Sequence, residues 1–334
     1  MSIELHEFAS IYTKLPSNAC EVPYRIANRN LAVYNPHMFS NPGPETAGAL
    51  DSPVNIVFAT DQDQLIGLLA AIVSIHRNSR RHRQHRFYVV TDAESYLGLQ
   101  EALDKFVRPL GIHVTLVEFR PSEFLLNHMR INHGPRIERV SNFSRFYLAE
   151  TLPEIDKIIY LDSDLIVTGD IEDLWNLARL DRQIIACVPA GPHSYDRIGS
   201  FYRGHPALAH LDEHEEFFNA GVYVTKLREW ERWNVLAEIE RWMQLHRQES
   251  TGLFDLGTQP LLNLVFYRAY EHLGREWNVI GLGDKEPHEL DRDLLQRAKL
   301  LHWKGPCKPW RADGRFKELW QPYNVVGELA SQFA

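Results

Sequence analysis

The chain has 334 residues, 44% of them hydrophobic and 24% charged, the balance of an ordinary globular protein long enough to bury a large core. Its net charge of −8 excludes general nucleic-acid affinity, which needs a basic face, and no apolar stretch approaches the roughly 20 residues that span a bilayer. Cys20, Cys187 and Cys307 are few and far apart, which predicts no disulfide framework, and the N-terminus lacks the basic start and apolar core of a signal peptide, so the expected location is the cytoplasm.

Residues 1–53 carry Pro16, Pro23, Pro36, Pro42, Pro44 and Pro53 among many Asn, Ser and Gly, and read as an irregular arm. The regular pattern then begins: strand over 54–60, helix over 65–76, strand over 85–91, helix over 95–107, strand over 112–119. Within it, residues 76–86 hold five arginines and three histidines. They read as a helix C-terminus and loop, where cations complement the helix dipole, or as a patch for an acidic lipid surface or a phosphorylated partner. A short helix over 143–150 leads into the apolar strand that ends at Asp162. Strands alternating with helices imply βαβ units and a mainly parallel sheet.

Beyond Asp164 the order changes. Residues 184–189 and 217–225 are strand-like, and 229–245 read as one helix with an apolar stripe of Trp230, Trp233, Leu236, Ala237, Ile239 and Trp242. A helix over 259–267 has Thr258 as its expected N-cap and Pro260 in its first turn. Short strands are expected over 277–280 and 300–302. The tail, 317–334, holds one Lys and no Arg, which does not support membrane attachment.

Two patterns carry chemistry. Asp162-Ser163-Asp164 closes a buried strand, where α/β proteins keep their sites. Residues i and i+2 of a strand face one side, so the two carboxylates can form a single bite for Mg²⁺ or Mn²⁺. The same pattern also occurs as a solvated turn capping a strand. The second pattern places His302, Gly305 and Lys308 at three-residue intervals after a strand. An imidazole favours Mn²⁺, glycine lets backbone approach a ligand, and a lysine offers a point charge to phosphate. Together the two patterns describe a metal–diphosphate clamp.

With these residues the chain resembles glycosyltransferase family 8, retaining sugar transferases of the GT-A type nucleotide-sugar fold that include bacterial lipopolysaccharide galactosyl- and glucosyltransferases and glycogenin. The family's His-x-x-Gly-x-x-Lys-Pro-Trp motif stands complete at 302–310, its Asp-x-Asp at 162–164, and its Phe-Asn-Ala-Gly-Val at 218–222. The strand over 55–61 and the helix over 144–148 match in kind and order, and the resemblance covers about 54–312.

The resemblance implies an α/β fold with a Rossmann-like mixed sheet flanked by helices in a single main domain, 54–316. It implies that Asp162, Asp164 and His302 hold Mn²⁺, with Mg²⁺ as the substitute, and that Gly305 and Lys308 meet the donor diphosphate. Ala59, Thr60 and Asp61 would hold base and ribose, with Ser163 reaching the ribose. Arg145 would meet the donor sugar or its phosphate, Asn219, Ala220 and Gly221 would line the sugar pocket, and Gln259 would face the reacting carbon. The implied catalytic set is Gln259, Lys308 and Arg145. The implied activity is Mn²⁺-dependent transfer of glucose or galactose from a UDP-hexose to a hydroxyl on an unknown sugar, lipid-linked or protein acceptor. A catalytically weak nucleotide-sugar-binding or scaffold protein of the same fold is the alternative reading.

Three departures bear on specificity. Thr258 stands where the family has Asp before the glutamine, with Asp255 as the candidate substitute. No aromatic follows Asp61 to stack on uracil, and Pro189 replaces an acidic residue of some members. The loop over 190–216 and the arm are the candidates for acceptor recognition. Tyr195 or Tyr202 would be the acceptor if the chain glycosylated itself as glycogenin does.

Overall fold

The computed structural model describes residues 53–129, 139–191, 197–255, 257–285 and 290–327, the side chain of His82 excepted. The first 52 residues, and with them nearly all of the expected arm, lie outside the described residues, as does Tyr195. The strands are β1 (Val54–Ala59), β2 (His85–Thr91), β3 (Val114–Glu118), β4 (Lys157–Leu161), β5 (Leu165–Val167), β6 (Ile185–Pro189), β7 (Phe218–Lys226), β8 (Glu271–His272) and β9 (Leu300–His302).

Five of the six residues of β1 are buried, the signature of a strand covered on both faces. It pairs in parallel with β2 on one side and β4 on the other. The full order is β3-β2-β1-β4-β7-β6-β8, with β7 antiparallel to both β4 and β6. The expected mixed sheet is therefore present. Side chains alternate along β1: Ile56 and Phe58 join one core with Leu68, Ile72 and Leu103, while Val57 joins the opposite core with Tyr160, Tyr223 and Trp242. The helix Leu65–Asn78 crosses the first face with a polar residue inside it. Ser74 is fully buried yet satisfied, because its hydroxyl donates to the Ala71 carbonyl (2.7 Å) and accepts from the Val167 N–H (2.9 Å). That bond ties β5 to the helix.

Several expected elements differ, each for a physical reason. The helix over 143–150 is three short turns, Val140–Phe143, Ser144–Tyr147 and Leu148–Thr151. All four residues of the middle 3-10 turn are buried, which a one-striped α-helix could not achieve. The helix over 229–245 is two, Leu227–Arg232 and Val235–Gln248, broken at Asn234, whose φ of 51° lies in the left-handed region that asparagine tolerates. Trp233 falls in that break and is 65% exposed, while Trp230, Ile239 and Trp242 are buried as the stripe required. Thr258 makes no side-chain cap, though Pro260 does sit in the first turn of Gln259–Val265. Residues 277–280 form no strand: a 3-10 turn covers Arg275–Trp277, and Val279 makes a single bridge to Leu301.

Two of the five arginines of the basic run are ion-paired among the described residues. Arg80 pairs with Asp170 and Asp173, and Arg81 with Glu172, at the N-terminal turn of the helix Ile171–Leu177. Part of the expected tail packs on the body, with Trp320 and Tyr323 buried beside Trp303 and the Tyr323 hydroxyl held by Asn78 (2.8 Å). Among the described residues no helix is long and apolar enough to cross a membrane.

The cysteine expectation needs correction. Cys187 is free and buried, but Cys307 is disulfide-bonded, and a disulfide belongs to an oxidising compartment more readily than to a reducing one. The thiol titre of the unfolded chain is expected to rise when reductant is added, and an unchanged titre would show that Cys307 carries a free thiol.

Candidate functional site

Three strand ends meet at Asp162–Asp164. β4 runs out at Leu161 opposite Val222, and one residue later the Asp162 N–H donates to the Gly221 carbonyl at 2.8 Å. The chain then bends into β5, which pairs antiparallel with β9 so that Leu165 faces His302. The Trp303 N–H donates to the Asp164 carbonyl at 2.8 Å. The register of this two-stranded sheet brings His302 to the carboxylates across 138 residues of chain.

His302 Nε2 lies 3.1 Å from Asp164 Oδ1 and 3.9 Å from Asp162 Oδ2. One ligand atom from each of Asp162, Asp164 and His302 falls within 4.8 Å of the others. Two carboxylate oxygens and an imidazole nitrogen fit Mn²⁺ well and Mg²⁺ less so. Space is kept by Gly221: a Cβ there would stand 2.5 Å from His302 Cε1 and 2.6 Å from Asp162 Oδ2. The Lys308 ammonium, itself buried, pairs with Asp164 Oδ2 and donates to the Trp303 carbonyl at 2.8 Å. Burial alone would raise the Asp164 pKa, but Lys308 and His302 outweigh it and hold the carboxyl well below the usual range. Asp164 is therefore an anion ready to bind a cation.

Asp162 is held from the other side. Its Oδ1 accepts from Arg145 Nη2 (3.0 Å) and from the Tyr160 hydroxyl (3.2 Å). Arg145 also donates to the Ala220 carbonyl (3.2 Å) and the Asn142 carbonyl (3.0 Å), with its guanidinium 4.8 Å above the Tyr160 ring. Arg145 also reaches the cavity wall, the place of its expected donor contact.

A cavity of ≈ 540 Å³ opens on these groups. Asp162, Asp164, His302, Gly305, Arg145, Asn219, Ala220, Gly221 and Gln259 all line it. Gly305 takes φ +93° with its Cα side against the Gly283 carbonyl, a turn closed to residues with a Cβ. The remaining expected residues stand outside the wall. Thr60 and Ser163 share a hydroxyl–hydroxyl hydrogen bond of 3.0 Å, tying β1 to the Asp162–Asp164 bend. Asp61 accepts from the Asp63 N–H and the Ser141 hydroxyl, and burial pushes its pKa up. Asp255 pairs with Arg203 at 2.7 Å and is not among the residues that line the cavity. The reading of the sequence missed Ser200, Phe201 and Phe217, which add an aromatic wall, and Asp284 and Lys304. Ser200 and Phe201 lie in the loop over 190–216 and Phe217 opens the strand-like stretch after it, but only packing brings these side chains to the cavity.

A mixed sheet of this order, with carboxylates at the carboxyl end of its central strand and a cleft beside them, defines a GT-A type glycosyltransferase fold. The galactosyltransferase LgtC, solved with donor and acceptor sugar analogues, has the same fold: TM-score 0.61 at 20% identity, over 82% of this chain and 96% of that one. Glycosyl transferase family 8 matches residues 55–314, and the chain belongs to that family. Glycosyltransferase 8 domain-containing protein 1 of Xenopus tropicalis is 31% identical over 302 residues, 84% of this chain and 79% of the relative. The Arabidopsis thaliana protein named Probable galacturonosyltransferase-like 6 is 31% identical over 311 residues, 87% and 86% of the two chains.

Proposed function

We propose that the protein is a retaining hexosyltransferase that moves glucose or galactose from a UDP-sugar to an acceptor hydroxyl and depends on Mn²⁺, with Mg²⁺ as a weaker substitute. The observation that carries this reading is the convergence of Asp162, Asp164 and His302 beside the buried Lys308 ammonium. When bound, the cation supplies positive charge to the departing diphosphate. Asp162, Asp164 and His302 hold it. Lys308 turns from Asp164 to the diphosphate and offsets the charge that develops as the anomeric bond breaks. Gly305 lets backbone approach the same group. Ala59, Thr60 and Asp61, at the end of β1, form the nucleoside end with Ser163, and Asn219 to Gly221 with Gln259 form the sugar end.

Retention follows from same-face attack. The acceptor oxygen bonds to the anomeric carbon on the side the diphosphate leaves, and the leaving phosphate oxygen takes the acceptor proton. Gln259 is poorly placed as a nucleophile, because its Oε1 already accepts from Asn219 Nδ2 (3.1 Å) and the Ala220 N–H (3.2 Å). Arg145 contributes by holding Asp162. Self-glycosylation at Tyr202 finds no support, since its hydroxyl donates to the Pro260 carbonyl at 2.7 Å. The acceptor is an external sugar, lipid-linked or protein hydroxyl, met from the loop over 190–216. A cytoplasmic location is the reading that a reduced Cys307 would favour.

Hydrolysis and transfer are screened across UDP-, GDP- and dTDP-sugars with and without Mn²⁺, UDP-galacturonate included because of the Arabidopsis relative's name. The expected result is Mn²⁺-dependent release of UDP from a UDP-hexose, abolished by Asp164→Ala. Equal turnover without metal sinks the mechanism, and donor binding without UDP release identifies a binding or scaffold protein.

A further inference from the structure

Behind His302 runs a line of side-chain amides. His302 Nδ1 lies 2.9 Å from Asn278 Oδ1, Asn278 Nδ2 lies 3.0 Å from Asn219 Oδ1, and Asn219 Nδ2 lies 3.1 Å from Gln259 Oε1. Asn278 and Asn219 are buried, so each amide must find its partners within the protein. Two backbone groups of β7 settle which way each amide is turned. A backbone N–H can only donate. The Gly221 N–H donates to Asn219 Oδ1 at 3.0 Å, and the Ala220 N–H donates to Gln259 Oε1 at 3.2 Å.

The rest follows by elimination. The Asn219 oxygen faces Gly221 and Asn278, so its NH₂ faces Gln259. Asn278 must then turn its NH₂ to Asn219 and its oxygen to His302. An oxygen there accepts a hydrogen bond, so His302 Nδ1 carries the proton. With Nδ1–H committed to Asn278, Nε2, which faces Asp162 and Asp164, is the ring atom left to meet a cation.

We infer that Asn278 is a positioning residue that sets the tautomer and ring orientation of His302 for a divalent cation, and that the Asn278–Asn219–Gln259 amides tie this ligand to the sugar end of the cavity. Gln259, with its oxygen committed to β7, has its amide nitrogen left for the cavity. The inference rests on reading Asp162, Asp164 and His302 as a cation site. Partners of this kind, standing one bond behind a ligating imidazole, govern cation affinity as well as geometry.

The experiment titrates the full chain with MnCl₂ alone, by calorimetry, for wild type, Asn278→Ala and Asn278→Asp, with melting temperature recorded for each. Asn278→Ala is expected to weaken Mn²⁺ binding by about 10- to 100-fold. Asn278→Asp keeps an oxygen to accept from Nδ1–H and is expected to recover wild-type affinity or better, a rescue that a purely structural role does not produce. Asn278→Ala within about twofold of wild type, or Asn278→Asp as weak as Asn278→Ala, overturns the inference while leaving the cation site standing. If Asn278→Ala does not fold, Asn278→Asp decides alone: wild-type affinity supports the inference, and a loss of about tenfold or more overturns it. A wild-type protein that binds no Mn²⁺ removes the cation site, and the inference with it.

Discussion

Lys308→Met is expected to lower sugar transfer by about 10²- to 10³-fold while tightening Mn²⁺ binding to the donor-free protein by about tenfold. The two effects have opposite signs because the ammonium has two jobs. Without donor it occupies Asp164 Oδ2, with the side chain 11% exposed, so an incoming cation must displace it. With donor it stabilises the leaving diphosphate, and removing one such preorganised charge costs about 3–4 kcal/mol of barrier. Methionine keeps the apolar stem packed and deletes only the charge. It also leaves the buried Asp164 carboxylate without its partner, which destabilises the metal-free chain. Mn²⁺ should therefore raise the melting temperature of the variant by more than it raises that of wild type. UDP-release kinetics and Mn²⁺ calorimetry together read the result. Slower transfer with weaker cation binding would mean that Lys308 merely supports the fold.

The second large effect is expected at Gly221. Gly221→Ala puts a methyl 2.5 Å from His302 Cε1 and 2.6 Å from Asp162 Oδ2, both far inside contact distance. Neither side chain can step back. His302 is held by Asn278, and Asp162 by Arg145 and Tyr160. The backbone cannot retreat either, because the Gly221 carbonyl accepts from the Asp162 N–H in the middle of the sheet. Overpacking of this kind costs about 1–3 kcal/mol, a fall of about 2–10 °C in melting temperature for a domain of this size. Mn²⁺-dependent transfer is expected to fall by about 10²-fold or more, since an ångström of ligand displacement is enough for that. Gly204→Ala is the control, with nothing within 4 Å of its added Cβ. A Gly221→Ala protein that melts and turns over like the control would show that the ligands need not sit as they do here.

Much of the fold was legible because local pattern and burial agree. The apolar run of β1, interrupted only by Asn55, reads as a central strand, and the alternation of strands and helices reads as a largely parallel sheet. The misreadings cluster where one residue's environment overrules its neighbours' periodicity. Trp233 fits the helical stripe by spacing, yet the break at Asn234 turns it to solvent. Residues 144–147 fit an α-helix by spacing, yet they form a 3-10 turn with all four residues, Arg145 included, buried. Cys307 reads as an isolated thiol, because spacing alone does not show whether a cysteine is paired.

The sequence by itself determined the ligand chemistry: two carboxylates two residues apart at a strand end, and an imidazole, a glycine and a lysine at fixed intervals on a later loop. It determined their order and the local elements that carry them, because residue type and period are local properties. Only the tertiary structure decided that Leu165 pairs with His302, which closes the site across 138 residues, that Arg145 faces Asp162, and that Lys308 neutralises Asp164. The amide line from His302 to Gln259 belongs there too. Registers, burial and buried hydrogen bonds are set by whichever partners the packed fold brings together, and no local propensity encodes those partners.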